Sequence, residues 1–313
     1  MHEARLAVTA AMALSVAAFA DVSSDTALLA EGFDAASGSI NGVGIWSNAR
    51  SLFRVQNSAA AHKGSGFVRV DTTAFADYSM PGFRNRWGGW TGFAQGQLDF
   101  TPGAGAQPVL TVRGYLRIVM PSHGYTRGVR AGITVDDASN SAVADIGMDS
   151  TGLLDGVVVF DGTELAWRTA EPVADAGAWN EVVIRLDLAS GLGRLEWNDN
   201  LVLVFSHAAT SLPRMQLAAD GRRSGVMPMK PQGAADFDSV SVTASAHCEG
   251  DLNLDRVVDD ADFEAFVRMY SRGACVRMTV LDASCAADLN HDRTVDESDF
   301  ALFASRYDGF LCP

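Results

Sequence analysis

Two sets of oxygen-bearing side chains near the end of the chain repeat one spacing. Asp251, Asn253, Asp255, Asp259 and Asp262 stand at positions 1, 3, 5, 9 and 12 of a twelve-residue stretch. Asp288, Asn290, Asp292, Asp296 and Asp299 stand at the same positions of a second. A hard cation such as Ca²⁺ takes about six to eight oxygens at roughly 2.3–2.6 Å, and alternating carboxylates and amides on a tightly wound loop can supply them. In loops of this kind position 7 gives a backbone carbonyl, which assigns Val257 and Thr294 to that role, and position 9 can act through a water. The expected cofactor is therefore Ca²⁺, two ions. Position 6 is ordinarily Gly because the loop turns sharply there. Here it is Arg256 and Arg293. A left-handed residue with a Cβ costs on the order of 1 kcal/mol, and the added charge repels a cation, so both substitutions weaken binding.

The elements that must hold these loops are legible too. After the first loop Phe263, Phe266, Val267 and Tyr270 recur at i, i+3, i+4 and i+7, one face of a helix; Phe300, Phe303, Ala304 and Tyr307 repeat the pattern. Acids in each first turn suit the helix dipole. No helical pattern precedes either loop. Each unit, Cys248 to Cys275 and Cys285 to Cys312, is thus a loop followed by one helix.

Residues 248–313 resemble the type I dockerin repeat, in its Cys-flanked form from secreted bacterial proteins. The likeness rests on the two loops, Asp rather than Glu at position 12, and the aromatic after it. It implies two repeats packed head to tail, docking through helix faces onto a cohesin-like scaffold protein. The positions it ties to partner choice are Asp260, Ala261, Glu297 and Ser298.

All four cysteines lie in this segment. An even count outside the cytosol points to disulfides, and four cysteines allow three connectivities. The head-to-tail packing implied by the resemblance favours Cys275–Cys285 and Cys248–Cys312 over bonds within a repeat, which would span a whole helix. A zinc site is the competing reading, but no CxxC occurs and no histidines stand at ligand spacing.

The N-terminus predicts export. Arg5, an apolar run from Leu6 to Ala20 and the Ala18-Phe19-Ala20 end make residues 1–20 a signal peptide, too short to span a bilayer. The mature chain is expected to be secreted, with no membrane span. Net charge is −14, and residues 248–313 carry fourteen acids against six arginines, −8 of that total. An acidic chain without a basic patch excludes nucleic acid as an expected partner.

Residues 21–246 read as one β domain, and 247–313 as the small all-α calcium module. Val182, Ile184, Leu186 and Leu188 alternate against Glu181, Arg185 and Asp187; Val109–Met120, Val129–Val135, Val157–Phe160, Leu201–Phe205 and Ser239–Thr243 are further strand-like runs. Asp161-Gly162, Ser190-Gly191 and Asn198-Asp199-Asn200 punctuate them as turns. A dozen or so strands predict a two-sheet sandwich. The Trp179–Phe205 stretch and Phe237-Asp238-Ser239-Val240 resemble a concanavalin A-like, LamG-type jelly roll. That fold class hosts glycan-binding modules, β-glucanases and polysaccharide lyases, so it assigns no function alone.

No catalytic residue is assigned. The paired-acid strand of jelly-roll β-glucanases is missing, and Glu31…Asp34, Asp136-Asp137 and Asp161…Glu164 read as strand-end or turn acids. No G-x-S-x-G, H-E-x-x-H or Gly-rich phosphate loop occurs. His62, His123 and His207 read as isolated surface or loop residues. Trp46, Trp167, Trp179 and Trp197 read as core. Trp87 and Trp90 sit among glycines and could present flat rings to sugar faces, with Arg86 beside them to bond hydroxyls. The expectation is a secreted, non-catalytic protein with a possible glycan-binding body and a tethering module. The alternative is an extracellular polysaccharide-degrading enzyme, a hydrolase or lyase of jelly-roll fold, that carries the same module.

Overall fold

The computed structural model describes residues 26–34, 38–39, 46–47, 53–71, 92–100, 108–119, 129–137, 142–149, 156–160, 168–170, 177–220, 233–271, 287–290 and 294–307. The expected signal peptide lies outside them. Among the described residues sixteen strands and two helices follow in order. The strands are β1 Thr26–Glu31, β2 Gly38–Ser39, β3 Trp46–Ser47, β4 Phe53–Asn57, β5 Gly66–Asp71, β6 Gly92–Phe100, β7 Val109–Val119 and β8 Arg130–Asp136. Then come β9 Ala142–Asp149, β10 Gly156–Phe160, β11 Arg168–Ala170, β12 Asn180–Asp187, β13 Leu192–Trp197, β14 Asn200–Ser206, β15 Leu212–Asp220 and β16 Ala234–Ser245. The helices are α1 Asp260–Tyr270 and α2 Glu297–Tyr307.

Two antiparallel sheets result. One runs β14-β13-β12-β7-β16-β5-β4-β2 with β1 added along β16; the other runs β11-β10-β9-β8-β15-β6-β3. The chain changes sheet repeatedly, as between β7 and β8, β11 and β12, and β15 and β16, which gives the interleaved order of a jelly-roll sandwich. Period-two alternation builds the core. Leu110, Val112, Leu116 and Ile118 of β7 and Val182, Ile184 and Leu186 of β12 face Ile133, Val135, Ile146, Met148, Met215 and Leu217 of the other sheet in one buried cluster. Each such side chain contributes about 1.5–3 kcal/mol by leaving water. At the β13–β14 hairpin Asn198 and Asp199 have φ of 48° and 62°, the two left-handed residues a tight turn needs to match strand twist.

One expectation is corrected. Trp197 is fully buried in the core, but Trp179 sits half-buried outside it. Its indole N–H donates to the Ala60 carbonyl, and the Arg117 guanidinium lies 4.5 Å from its ring centroid. The reason is register: Trp179 precedes Asn180, so the strand's inward positions start at Val182. His207 lies in the loop after β14, as expected, and is half-buried there. Burial holds its pKa down at about 4, and its ring bridges the Leu192 carbonyl and the Ala209 amide as neutral imidazole.

The C-terminal segment packs directly on the sandwich. Leu192 of β13 belongs to the buried cluster of Leu252, Leu254, Val258, Phe266, Ala287, Val295 and Phe303, with Val204 of β14 at its edge. Asp187, at the end of β12, accepts from Ala189 N and Ser190 Oγ and pairs with His247 Nδ1 at 2.7 Å. Desolvation opposes charge on His247, but the Asp187 hydrogen bond and charge, with Glu249 and Asp251 beyond, outweigh it and raise its pKa above 6.5. Asp187 is lowered below 3.8: burial opposes this, and the His247 bond prevails. His247 contributes stability below its unfolded pKa and loses it as pH rises through the raised folded value; Asp187 contributes above its unfolded pKa and loses it as pH falls. The pair therefore acts fully between about pH 4 and 6.5. Replacing His247→Gln should lower the denaturation midpoint most in that window, with the gap closing as pH rises further. A gap independent of pH would contradict the pairing.

Candidate metal centre

Strand β16 ends at Ser245 and the chain enters the first loop with no helix between. Carboxylate-to-amide bonds wind the loop. Asp251 Oδ1 accepts from Asp255 N (3.0 Å) and its Oδ2 from Arg256 N (2.8 Å). Asn253 Oδ1 accepts from Asp255 N, and Asp255 Oδ1 from Val257 N. Asp262 reaches back from the first turn of α1: its Oδ1 accepts from Leu252 N (2.7 Å) and Asn253 N (3.0 Å), its Oδ2 from Asp259 N. Asp259 caps the helix, accepting from Ala261 N, and with Asp262 closes a capping box. The helix start and the loop thus share one carboxylate.

The winding turns three acids together. Asp251, Asp255 and Asp262 each present a carboxylate oxygen within 4.8 Å of the other two. Asp262 is fully buried and Asp251 is 5% exposed. Burial first, then the neighbouring charges of Asp262 and Asp255, pushes Asp251 up to about 7; burial likewise lifts Asp262 to about 6. Crowded, desolvated carboxylates of this kind are relieved by a cation. The three donors brought together are all carboxylate oxygens, which suits a hard divalent ion and not a soft one. Val257 is 40% exposed. Arg256 has φ of +78°, so the strain expected at position 6 is present.

In its described residues the second loop repeats contacts of the first. Asp299 accepts from Asn290 N and Asp296 N, and Asp296 from Ser298 N, matching Asp262 and Asp259. Asp288, Asn290, Thr294, Asp296 and Asp299 are described; Asp292 and Arg293 lie outside the described residues. The helices are related by an approximate twofold exchange. Tyr270 at the end of α1 donates to Glu297 at the start of α2, and Tyr307 at the end of α2 donates to Asp260 at the start of α1. Phe266 and Phe303 stack across that axis at 5.0 Å. The apolar stripe is buried only there. Phe263, Val267, Tyr270 and Phe300 are 38–47% exposed, because two helices cover only one side of each other. Asp260 and Glu297 are committed to the tyrosines, while Ala261 and Ser298 are exposed.

Sandwich residues that loop spacing could not reveal underlie the first loop. Arg194 Nη1 of β13 donates to the Asn253 carbonyl (2.7 Å) and to Asn253 Oδ1 (3.2 Å). Arg185 Nη1 of β12 donates to the Leu254 carbonyl (3.0 Å). Buried Glu196 lies between the two, 2.5 Å from Arg194 Nε and 3.3 Å from Arg185 Nε. The only signal in the sequence was their position opposite the inward Ile184 and Leu195. Cys248 is disulfide-bonded. Cys275, Cys285 and Cys312 lie outside the described residues, and so does the expected pairing.

Elsewhere on the body, Arg86, Trp87 and Trp90 lie outside the described residues. The outer face of the nine-stranded sheet carries ion pairs: Arg113 and Tyr115 on Glu181, Arg69 and Arg117 on Asp236, with His62 stacked on Tyr115 at 3.5 Å. On the seven-stranded sheet buried Asp136 accepts from Gln216 and buried Asp145 from Thr134. Among the described residues no helix is long and apolar enough to cross a membrane.

No family model matches the chain, and no curated protein matches it in sequence. Solved structures give distant likenesses. An endo-1,3-beta-glucanase from Streptomyces sioyaensis is similar at 15% identity and TM-score 0.47, over 73% of this chain and 99% of that one. The alginate lyase AlgAT5 of polysaccharide lyase family 7 is similar at 14% identity and TM-score 0.41, over 64% and 85%. A sialidase is similar at 13% identity and TM-score 0.45, covering 80% of this chain, which spans about a fifth (21%) of the sialidase's length. Likenesses this distant identify no substrate for this chain, and the family to which it belongs is not shown by them.

Proposed function

We propose that this chain is a secreted, non-catalytic protein whose C-terminal repeats bind two Ca²⁺ ions and tether a β-sandwich body to a partner. The observation that carries the reading is the convergence of Asp251, Asp255 and Asp262 oxygens within 4.8 Å in a loop wound by their own carboxylates. The ligands proposed for the first ion are Asp251, Asn253, Asp255, the Val257 carbonyl, Asp262 and, through water, Asp259. Those for the second are Asp288, Asn290, Asp292, the Thr294 carbonyl, Asp299 and, through water, Asp296. The exposed apolar faces of the paired helices, Phe263, Val267, Phe300 and Leu302 at 40–47% exposure, support a tethering role of the dockerin kind with a cohesin-like partner. Disulfides Cys275–Cys285 and Cys248–Cys312 would staple a module with little core of its own. For the body, the aromatic Arg86, Trp87 and Trp90 segment supports glycan recognition, which an array of immobilised polysaccharides reads directly.

Calorimetric titration tests the calcium reading. Two ions should bind per chain. Arg256→Gly, which removes left-handed strain of about 1 kcal/mol and a positive charge, should tighten one site roughly fivefold. Absence of calcium heats in the intact chain would sink the proposal.

A further inference from the structure

The first loop does not stand alone. Its position-3 and position-4 residues, Asn253 and Leu254, are held by side chains that belong to the sandwich. Arg194 spans two oxygens of one residue, the Asn253 carbonyl and the Asn253 Oδ1 proposed as an ion ligand. Arg185 fixes the carbonyl of Leu254, a non-glycine residue at φ of +59° that is costly to hold in that conformation. Glu196, with a side chain only 6% exposed, lies within ion-pair distance of both guanidinium groups at once. Below them Leu192 of β13, 1% exposed, is packed into the same cluster as Leu252, Leu254 and Val258 of the loop. Among the described residues strand β14 is the edge of its sheet and pairs only with β13, which in turn pairs with β12.

We propose that strands β12 and β13 are part of the first loop's scaffold, so that an ion in that loop and the order of the β13–β14 hairpin stabilise one another. The inference rests on the calcium reading above and deepens it. Arg194 and Arg185 are positioning residues: they touch the loop's ligand-bearing backbone, not the ion. Groups that orient ligands without contacting the metal typically change affinity about 10–100-fold when removed. Linkage makes the effect reciprocal, since whatever the hairpin does for ion affinity the ion does for the hairpin. Both arginines donate to residues of the first loop, Asn253 and Leu254, so the second loop serves as the internal comparison.

The test uses the full chain, with calcium titration by calorimetry and hydrogen exchange of the Leu192–Ser206 amides with and without calcium. Calcium should slow exchange across β13 and β14 in the parent chain. Asp251→Asn should abolish most of that protection, and Asp288→Asn should leave most of it. Arg194→Met should weaken one binding class about tenfold and spare the other, and Arg194→Lys, which keeps one donor, should recover part of the loss. If Arg194→Met fails to fold, the Asp251→Asn and Asp288→Asn comparison still decides. Two ions bound with β13–β14 exchange unaffected, or with both loop variants equally effective, would overturn the linkage and leave the calcium reading standing. A parent chain that binds no calcium would overturn both.

Discussion

Phe266→Ala will unfold the paired helices while leaving the sandwich's own transition in place. Phe266 is 1% exposed and stacks on Phe303 at 5.0 Å, and its ring also meets Phe300 and Tyr270 near 6 Å. Truncating a buried Phe costs about 3–5 kcal/mol, because the transfer energy is lost and the cavity only partly collapses. A module of this size has only a few kcal/mol to lose. Phe303→Ala should cost a similar amount, since the exchange relating α1 to α2 places the two rings in equivalent positions. The double variant should cost less than the sum, as expected of residues in contact. Denaturant melts followed by near-ultraviolet dichroism measure this. Equal, additive losses under 1 kcal/mol would show that the rings are not the module's core.

Calcium will raise the melting temperature of chelator-treated protein by on the order of 10 °C. An ion at about a thousand times its dissociation constant stabilises the folded state by about 4 kcal/mol. Each kcal/mol moves a transition of this chain length by about 2–4 °C. The gain arises where buried Asp251 and Asp262 face half-buried Asp255. Magnesium at the same concentration should do less, because it demands a smaller octahedral cage and gives up water reluctantly. A melting curve unmoved by either chelator or calcium would contradict metal-coupled folding.

The features that sequence spacing exposed are those set by neighbours along the chain. Strands β7, β12 and β14 begin and end within a residue or two of the alternating runs, because burial of every second side chain is a local pattern. The loops were legible for the same reason: Asp251 and Asp262 need only eleven positions of chain between pattern ends, and the caps at Asp259 and Asp296 follow. What stayed hidden depends on contacts between distant segments. Alternation placed Arg185 opposite the inward residues of its strand, but nothing local says that Leu254 will cover it or that Asn253 will cover Arg194. The contacts of the His207 loop depend on β13 and the turn at Gly191, which the sequence does not bring to it. Trp179 looked like core because aromatics usually bury, yet the register that sends Val182 inward leaves it outside.

The most direct measurement is a crystal structure of the chain grown with calcium, with anomalous scattering used to identify the ions. The account predicts one peak inside each loop, ringed by Asp251, Asn253, Asp255 and Asp262 in the first and by Asp288, Asn290, Asp292 and Asp299 in the second, at about 2.3–2.6 Å. Ordered water alone at both places, in crystals saturated with the ion, would contradict it.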